Sequence, residues 1–234
     1  MHVEEVLVKT MSLHDAGIAA SGNRTAVSDA AIRLAAKLRA SFSPGHKVIV
    51  FTSAVSGEGV TETAGQVAHA LTQMEQGPIL LLDANLRFPS LHSKFKIHQI
   101  PGLSDLISKQ AKLEETVFPT DVAGLSLLPA GVAAEDSLAL LSSAEWPSLL
   151  QVLRERFQFV IVDSASVLQF ADIALIAPRA DGVVIVMAAG ERSRQELLQT
   201  KRMLDGLKAN LLGVVLSEKE LIAGRSLSSN GHQR

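Results

Sequence analysis

Six short apolar segments recur along the chain and divide it into regular units. They lie at 47–53, 78–83, 125–129, 159–163, 182–187 and 211–216, and their apolar residues are continuous rather than alternating with polar ones. Continuous apolar runs of this length are typical of parallel strands that are covered on both faces. We therefore predict six buried strands that belong to one sheet.

Helical patterns separate the predicted strands. Residues 28–42 form an alanine-rich segment that opens at Ser28, a residue type favoured at helix N-caps. After the first strand, Ala64, Val67 and Leu71 recur at helical spacing. Strands that alternate with helices indicate right-handed βαβ units and ligands at the carboxyl ends of the strands. We expect an α/β fold with a doubly wound, mostly parallel sheet in a single domain.

The composition narrows the classes of function. The chain has no cysteine, which excludes disulfides, thiolate metal sites and cysteine nucleophiles. Its formal net charge of −2 gives no basic excess for a phosphate backbone, so we expect no nucleic-acid partner. No apolar run reaches the roughly 18 residues of a membrane span, and the first ten residues lack the pattern of a signal peptide. We expect a cytoplasmic protein that reaches a membrane only through a partner.

The stretch SAVSGEGVTE (53–62) lies between a predicted strand and a predicted helix. Glycines in such a turn let backbone N–H groups point inward, and the helix N-terminus that follows favours an anion. Gly57 and Gly59 suit a phosphate-binding loop, but Val60 stands where the pattern G-x-x-x-x-G-K-[ST] has its lysine. Taken alone, the two glycines are equally consistent with an ordinary connection.

Two aspartates follow buried strands. Asp83 closes the stretch ILLLD and Asp163 closes FVIVD. A parallel sheet brings the ends of these strands to the same edge as the glycine loop. One such aspartate is equally typical of a helix cap or turn, but that structural reading is much weaker for the pair together with the loop.

Three motifs in this order resemble the cytoplasmic kinase domain of bacterial tyrosine kinases that regulate capsule and exopolysaccharide assembly, relatives of the MinD and ParA ATPases. SAVSGEGVTE (53–62) is similar to the family's S-x-x-P-G-E-G-K-[ST]-T, LLLDANLRFP (80–89) to L-L-I-D-A-D-L-R-x-P, and VIVDSASVL (160–168) to V-I-I-D-T-P-P-V-L. The connectors GLSDLI (102–107) and LLPAG (127–131) also resemble family segments. The resemblance implies a sheet of the P-loop NTPase type.

The resemblance divides the chain into an N-terminal extension at 1–27, a kinase-like α/β domain at 28–217 and a C-terminal helix or flexible tail at 218–234. It implies ATP and Mg²⁺ as cofactors, Asp83 and Asp163 as catalytic residues, and Thr61 with these two aspartates as the metal site. The residues that it implies for contact with the nucleotide are Ser53, Gly57, Glu58, Gly59, Val60, Thr61, Glu62, Arg87 and Ser217.

The chain departs from the family pattern at the positions of the nucleotide chemistry. Val60 replaces the loop lysine, Glu62 replaces a threonine and Asn85 replaces the second aspartate of its motif. Ala165 and Ser166 stand where two prolines are usual, and Ser217 where an asparagine reads adenine. The chain also has no tyrosine to autophosphorylate. These losses predict weakened binding of ATP and Mg²⁺, and vestigial catalytic aspartates.

The leading hypothesis is a regulatory or scaffolding pseudokinase of exopolysaccharide or capsule biosynthesis, with a degenerate Walker A loop. Its expected partner is a membrane-embedded chain-length regulator or an active paralogue kinase, which would hold it at the inner face of the cell membrane; a homo-oligomer is a further candidate. The alternative is an active ATP-dependent protein kinase or ATPase in which Arg87, Lys47 or a partner replaces the lysine. A MinD-like or ParA-like positioning ATPase is disfavoured, because the loop also lacks that group's additional lysine.

Overall fold

The computed structural model of the chain describes residues 8–11, 27–43, 45, 47–75, 77–133, 136–188 and 193–217, with the backbone alone at 8–11 and 193. The strands of these residues are β1 (Val8–Met11), β2 (Lys47–Ser53), β3 (Ile79–Asp83), β4 (Phe118–Pro119), β5 (Leu125–Leu128), β6 (Phe159–Asp163), β7 (Gly182–Ala188) and β8 (Leu211–Ser217). They form one sheet in the order β1-β8-β7-β2-β6-β3-β5-β4. All neighbours are parallel except β4 and β5.

The helices lie between the strands as predicted. They are α1 (Asp29–Ala40), α2 (Val60–Thr72), α3 (Leu91–Lys94), α4 (Leu103–Ile107), α5 (Leu113–Thr116), α6 (Ser137–Ser142), α7 (Glu145–Arg156), α8 (Ile173–Ile176), which continues into the 3₁₀ turn Ala177–Arg179, and α9 (Ser193–Gly206). Ser28 caps α1 by accepting from the Ala31 N–H at 3.2 Å. No helix in the described ranges is both long and apolar enough to cross a bilayer.

All six predicted strands are present, and two further strands were not predicted. β4 has only two residues, one of them a proline, and it lies at the sheet edge where proline is tolerated. β1 lies in the segment 1–27, which we expected to be an extension outside the domain. It pairs with β8 from Val8 beside Val214 onward, so the sheet includes part of that segment.

Alternate residues of each central strand pack into two apolar layers. On β2, Val48 and Val50 belong to the layer that contains Trp146 of α7, whereas Ile49 and Phe51 belong to the layer of α1 and α2. The strands β3 and β6 alternate in the same way. Helices therefore cover both faces of the sheet, which confirms the doubly wound α/β fold.

The parallel sheet brings polar residues together at one edge. Ser53, Asp83, Asp163 and Ser217 are the last residues of β2, β3, β6 and β8, and all four are buried. Asp83 and Asp163 are direct partners in the register of β3 and β6. The candidate site residues from three separate motifs are thus gathered at the carboxyl edge, where ligands bind in such folds.

The two connector motifs meet each other at this side of the sheet. Gly131 has a φ of +83°, and a Cβ atom there would collide with the Ser104 hydroxyl and the Asp105 carboxylate. A Cβ on Gly102 would in turn collide with the backbone of Gly131. Both positions therefore require glycine, which explains why the segments GLSDLI and LLPAG occur together in this chain.

We expect Gly131→Ala to lower the free energy of unfolding by about 1–3 kcal/mol, because it adds both a clash and backbone strain. Gly206→Ala is the matched control: a Cβ there meets nothing within 4 Å, and alanine is favoured over glycine in a helix. Urea denaturation of both variants measures the difference. Equal stability of the two proteins would contradict this packing of the connectors.

Candidate functional site

The glycine loop connects β2 to α2 through two residues in the left-handed region. Gly57 and Gly59 both have a φ of +86°, which side chains other than glycine rarely adopt. Gly59 is also the N-cap of α2. At the start of the loop the Ser53 hydroxyl donates to the Val55 carbonyl at 2.8 Å. The glycines allow the backbone to close on itself directly before the helix.

The backbone N–H groups of residues 57–62 have no hydrogen-bond acceptor among the described residues. The first backbone hydrogen bond of α2 is the one from Thr63 to the Gly59 carbonyl, at 3.0 Å. Unpaired N–H groups in a turn of positive φ, followed by a helix N-terminus, attract an anion because their dipoles point the same way. The loop therefore has the geometry of an anion cradle.

Glu58 and Ser217 support this loop from below. The Glu58 carboxylate accepts from the Val55 N–H at 3.0 Å and from the Ala188 N–H at 3.2 Å. Burial raises the pKa of Glu58, and these two N–H groups oppose that rise. The Ser217 hydroxyl donates to the Glu58 carbonyl at 2.7 Å. Both side chains are committed to the loop itself here, and direct contact of either with a nucleotide stays a prediction.

Gln169 ties the outer side of the loop to the segment after β6. Its Oε1 atom accepts from the Ser56 N–H at 2.7 Å, from the Ser56 hydroxyl at 2.8 Å and from the Ser166 hydroxyl at 2.7 Å. Ser56 and Ser166 occupy positions where the family motifs carry proline, which has no N–H and no hydroxyl. A polar clamp of Ser56, Ser166 and Gln169 therefore replaces the stiffness of those prolines.

Gln169→Leu should loosen the loop, because it removes the acceptor shared by three donors. We expect amide hydrogen exchange at residues 55–57 to become about tenfold faster, which corresponds to about 1.4 kcal/mol of local stability. The control is Gln151→Leu on α7, where the exposed side chain bonds only Glu155. Unchanged exchange at Ser56 in Gln169→Leu would argue against the clamp.

Asp83 organises the chain that follows β3. The side chain is fully buried, and its Oδ2 accepts from the N–H groups of Ser90 at 3.0 Å and Leu91 at 3.1 Å, while Oδ1 accepts from Asn85 at 3.2 Å. Burial raises the pKa of Asp83 to about 6, although the three N–H groups act against that rise. Asp83 thus holds the start of α3 at the sheet edge.

Asp163 lies beside Asp83 and has no such support. It is 1% exposed, and neither of its carboxylate oxygens has a hydrogen-bond partner among the described residues. Burial, and next the charge of Asp83, raise the pKa of Asp163 well above its usual range. The Thr61 hydroxyl and the Lys94 ammonium act to lower it. Two buried carboxylates beside a hydroxyl provide the oxygen ligands that Mg²⁺ uses when phosphates and water complete its shell.

We expect Asp163→Asn to raise the free energy of unfolding by about 1–3 kcal/mol at pH 7.5 without Mg²⁺, because it removes a buried charge that has no partner. Asp83→Asn is the control and should not stabilise, since its amide would face the donors of Ser90 and Leu91. Thermal and urea unfolding measure both variants.

The pH dependence has a definite sign. A carboxyl whose folded pKa is raised keeps its proton longer in the folded state, so its contribution to stability is lost as pH rises from about 4 through about 6 and above. The advantage of Asp163→Asn over wild type should therefore widen from pH 5 to pH 8 and shrink when millimolar Mg²⁺ is added. A constant or reversed difference would contradict an unpaired Asp163.

The positions that depart from the family pattern have local roles in this structure. Val60 is 9% exposed and packs with the apolar layer of α1 and α2, so its side chain offers nothing to an anion. The Asn85 Oδ1 accepts from the Phe88 N–H at 3.2 Å and shapes the turn after β3. The Ala165 carbonyl accepts from the Thr52 hydroxyl at 2.8 Å. The replacements are built into the fold around the loop.

Arg87 and Lys47, the cations considered as substitutes for the lysine, are both engaged elsewhere. The Arg87 Nε donates to Asp172 at 2.8 Å, and the guanidinium lies 5.1 Å from the Phe170 ring centroid. The Ser137 hydroxyl donates to the other oxygen of Asp172 and completes this buried network. Lys47 is the first residue of β2, at the amino-terminal end of the strand. It lies about 20 Å along the strand from the loop, and its ammonium lies over the Phe42 ring.

The structure adds Lys94, a cation that sequence reasoning missed. Its Nζ lies 3.1 Å from the Glu62 Oε2 in the first turn of α2. Ser90, at the start of the same short helix α3, has its hydroxyl 3.4 Å from that of Thr61. The negative charge of Glu62, at the start of α2, is therefore offset by a cationic partner. No spacing rule links residues 62 and 94, so only the fold reveals the pair.

Some sequence predictions lie outside the described residues. The C-terminal helix or flexible tail at 218–234 and most of the N-terminal extension at 1–27 are among them. Within the described ranges, no group of three or more His, Cys, Asp or Glu side chains could hold a metal ion. Any divalent ion at the carboxyl edge would thus depend on ligands beyond carboxylates, such as the Thr61 hydroxyl, water and phosphate.

No protein-family model matches the chain. Among curated proteins, tyrosine-protein kinase YwqD of Bacillus subtilis is 30% identical over 175 residues, which are 75% of this chain and 73% of YwqD. Tyrosine-protein kinase CpsD of Streptococcus pneumoniae is 29% identical over 176 residues, which are 75% of this chain and 77% of CpsD. The matched length is most of the chain in both cases.

Solved structures give the same picture. The VpsO kinase domain has a TM-score of 0.75 and 30% identity over 81% of this chain and 93% of that domain. The chimerical protein CapA2B2 has a TM-score of 0.81, with 23% identity over 90% of this chain and 92% of its own. MinD of Pyrococcus horikoshii, solved with Mg-ADP, has a TM-score of 0.63, with 19% identity over 73% of this chain and 69% of its own. The last two support the fold alone, which is of the P-loop NTPase type.

Proposed function

Because this chain belongs to the family of bacterial tyrosine-protein kinases, we propose that it is a catalytically impaired member, a regulatory or scaffolding pseudokinase of exopolysaccharide or capsule biosynthesis. The family membership supports the general role, since the motif resemblance is to kinases that regulate the assembly of these polymers. The changes at the phosphate site support the impairment.

One observation carries the impairment: the buried Val60 occupies the position of the loop lysine. Phosphoryl transfer depends on positioned charge, because negative charge spreads over the transferred phosphoryl group in the transition state. A charge-assisted hydrogen bond contributes about 1.5–3 kcal/mol, so its loss costs about ten- to a hundredfold in affinity. The loss in rate is larger, since the lysine acts most strongly in the transition state.

Two further features would also slow phosphoryl transfer. Asn85 replaces the second aspartate of its motif, and a neutral amide cannot act as a general base. The absence of tyrosine from the whole sequence removes the family's own acceptor.

Binding needs fewer groups than transfer does. The cradle at residues 57–62 would hold the phosphates of ATP, and Thr61, Asp83 and Asp163 would hold Mg²⁺, which supplies the charge neutralisation of phosphoryl chemistry.

The proposed partner is a membrane-embedded chain-length regulator or an active paralogue kinase. Such a partner would place the chain at the inner face of the cell membrane, since no described helix crosses it. A homo-oligomer is also compatible with this role. In all three cases the α/β domain at 28–217 would act as a binding surface whose shape is set by the state of the phosphate loop, with the segment 218–234 as its tail.

A second candidate function is an active ATP-dependent protein kinase or ATPase with a substitute cation. The observation that favours it is the pair of Lys94 and Glu62 beside the first turn of α2, which places a positive charge next to the loop by another route. This candidate differs from the first in the rate of transfer, so a rate measurement separates the two.

We expect the purified wild-type protein with Mg-ATP to turn over at least about a hundredfold more slowly than the roughly 1–100 s⁻¹ of protein kinases. Val60→Lys should raise ATP hydrolysis by about a hundredfold or more, and adding Asn85→Asp should raise it further. Val60→Met, which has a similar length and no charge, is the control and should stay at the wild-type level. ATP hydrolysis or phosphoryl transfer by the wild type at rates within the kinase range would contradict the proposal and favour the active alternative.

A further inference from the structure

The short helix α3 is fixed against the phosphate loop at its start. The buried Asp83 carboxylate accepts from the N–H groups of Ser90 and Leu91, which are the first residues of this segment. The Ser90 hydroxyl lies 3.4 Å from that of Thr61 in the first turn of α2. These contacts leave α3 little freedom to move away, so Lys94 at its other end is held beside the same turn of α2.

The Lys94 side chain forms an ion pair in this position and remains partly exposed to solvent. Its Nζ donates to the Glu62 Oε2 at 3.1 Å, and its side chain is 38% exposed. The other carboxylate oxygen of Glu62 is buried and has no partner among the described residues. A lysine ammonium has three donors on a flexible stem, so it can keep Glu62 and accept a second anion.

We infer that Lys94 is the cation that faces the phosphates of a bound nucleoside diphosphate or triphosphate, in place of the lysine that Val60 has replaced. The juxtaposition that carries the inference is Lys94 of α3 beside the first turn of α2, where the N–H groups of residues 57–62 are unpaired. The inference rests on the proposed function in taking the glycine loop as the phosphate position. It concerns binding and adds no catalytic step.

Arg87 and Lys47, the substitute cations considered from the sequence, fit this role less well. Arg87 is held by Asp172 and by the Phe170 ring, so it would have to leave a buried partner to meet a phosphate. Lys47 lies at the amino-terminal end of β2, and the loop follows the other end of this strand. Lys94 also offsets the charge of Glu62, which stands where the family motif has a threonine.

The phosphate cradle needs such a cation. Asp83 and Asp163 are buried next to it, and a polyphosphate placed on the loop would face both carboxylates. Mg²⁺ would offset part of that repulsion, but the ion binds through only one or two carboxylates and keeps much of its water. A positive side chain on the α3 side would add to the charge that Mg²⁺ supplies.

Calorimetric titration of Mg-ADP into the full chain tests this assignment. We expect Lys94→Met to weaken binding by about ten- to a hundredfold, and Lys94→Arg to keep affinity within a few fold. Lys201→Met is the matched control, because Lys201 is 40% exposed and pairs with Asp205 within α9. It should bind as the wild type does. Glu62→Gln should bind more tightly, since Lys94 is then released from a competing carboxylate.

The outcomes separate this inference from the proposed function. Equal affinity of Lys94→Met and wild type, or no binding by wild type, would overturn the role of Lys94 and leave the impaired scaffold standing. Kinase-range turnover with the Lys94 effect intact would overturn the impairment alone. If Lys94→Met does not fold, Lys94→Gln takes its place in the titration, because the glutamine amide keeps a hydrogen-bond donor for Glu62. In a Val60→Lys background the loss at Lys94 should become smaller, because the loop then carries its own cation.

Discussion

The register between β3 and β6 places two buried carboxylates side by side at the carboxyl edge of the sheet, and the surrounding structure is arranged around that pair. Asp83 is supported by three backbone N–H groups and thereby fixes the start of α3, whereas Asp163 has none. An unpaired buried charge is costly, so Asp163 lowers the stability of the fold unless a cation offsets its charge. The Mg²⁺ of the proposed site would be such a cation.

The loop above the carboxylates keeps its shape through its neighbours. Glu58 and Ser217 hold it from below, and Gln169 holds it from the side. Two positions that depart from the family pattern, Ser166 and Ser217, take part in these contacts. A cradle that is preformed in this way can bind phosphate without moving, and a partner could sense whether it is filled. This is how a protein with impaired chemistry could still regulate an assembly.

The sequence was sufficient for the scaffold. Continuous apolar runs located the six central strands, and the aspartates that end two of them led directly to Asp83 and Asp163, because parallel strands align their carboxyl ends. It was insufficient for contacts made across the fold. Lys94 meets Glu62, and Gln169 meets Ser56, over sequence separations of 32 and 113 residues with no periodic signal. β1 escaped prediction for the same reason, since its only described partner strand is β8, about two hundred residues later.

The central claim is that this protein holds a nucleotide without transferring its phosphate. The most direct test gives the wild-type chain Mg-ATP and takes two readings: equilibrium dialysis measures bound nucleotide, and samples quenched within the first seconds measure the rate of phosphate release. We expect saturable binding of the nucleotide, with turnover at least about a hundredfold below the roughly 1–100 s⁻¹ of protein kinases. Release of phosphate at the pace of an ordinary kinase would contradict the central claim.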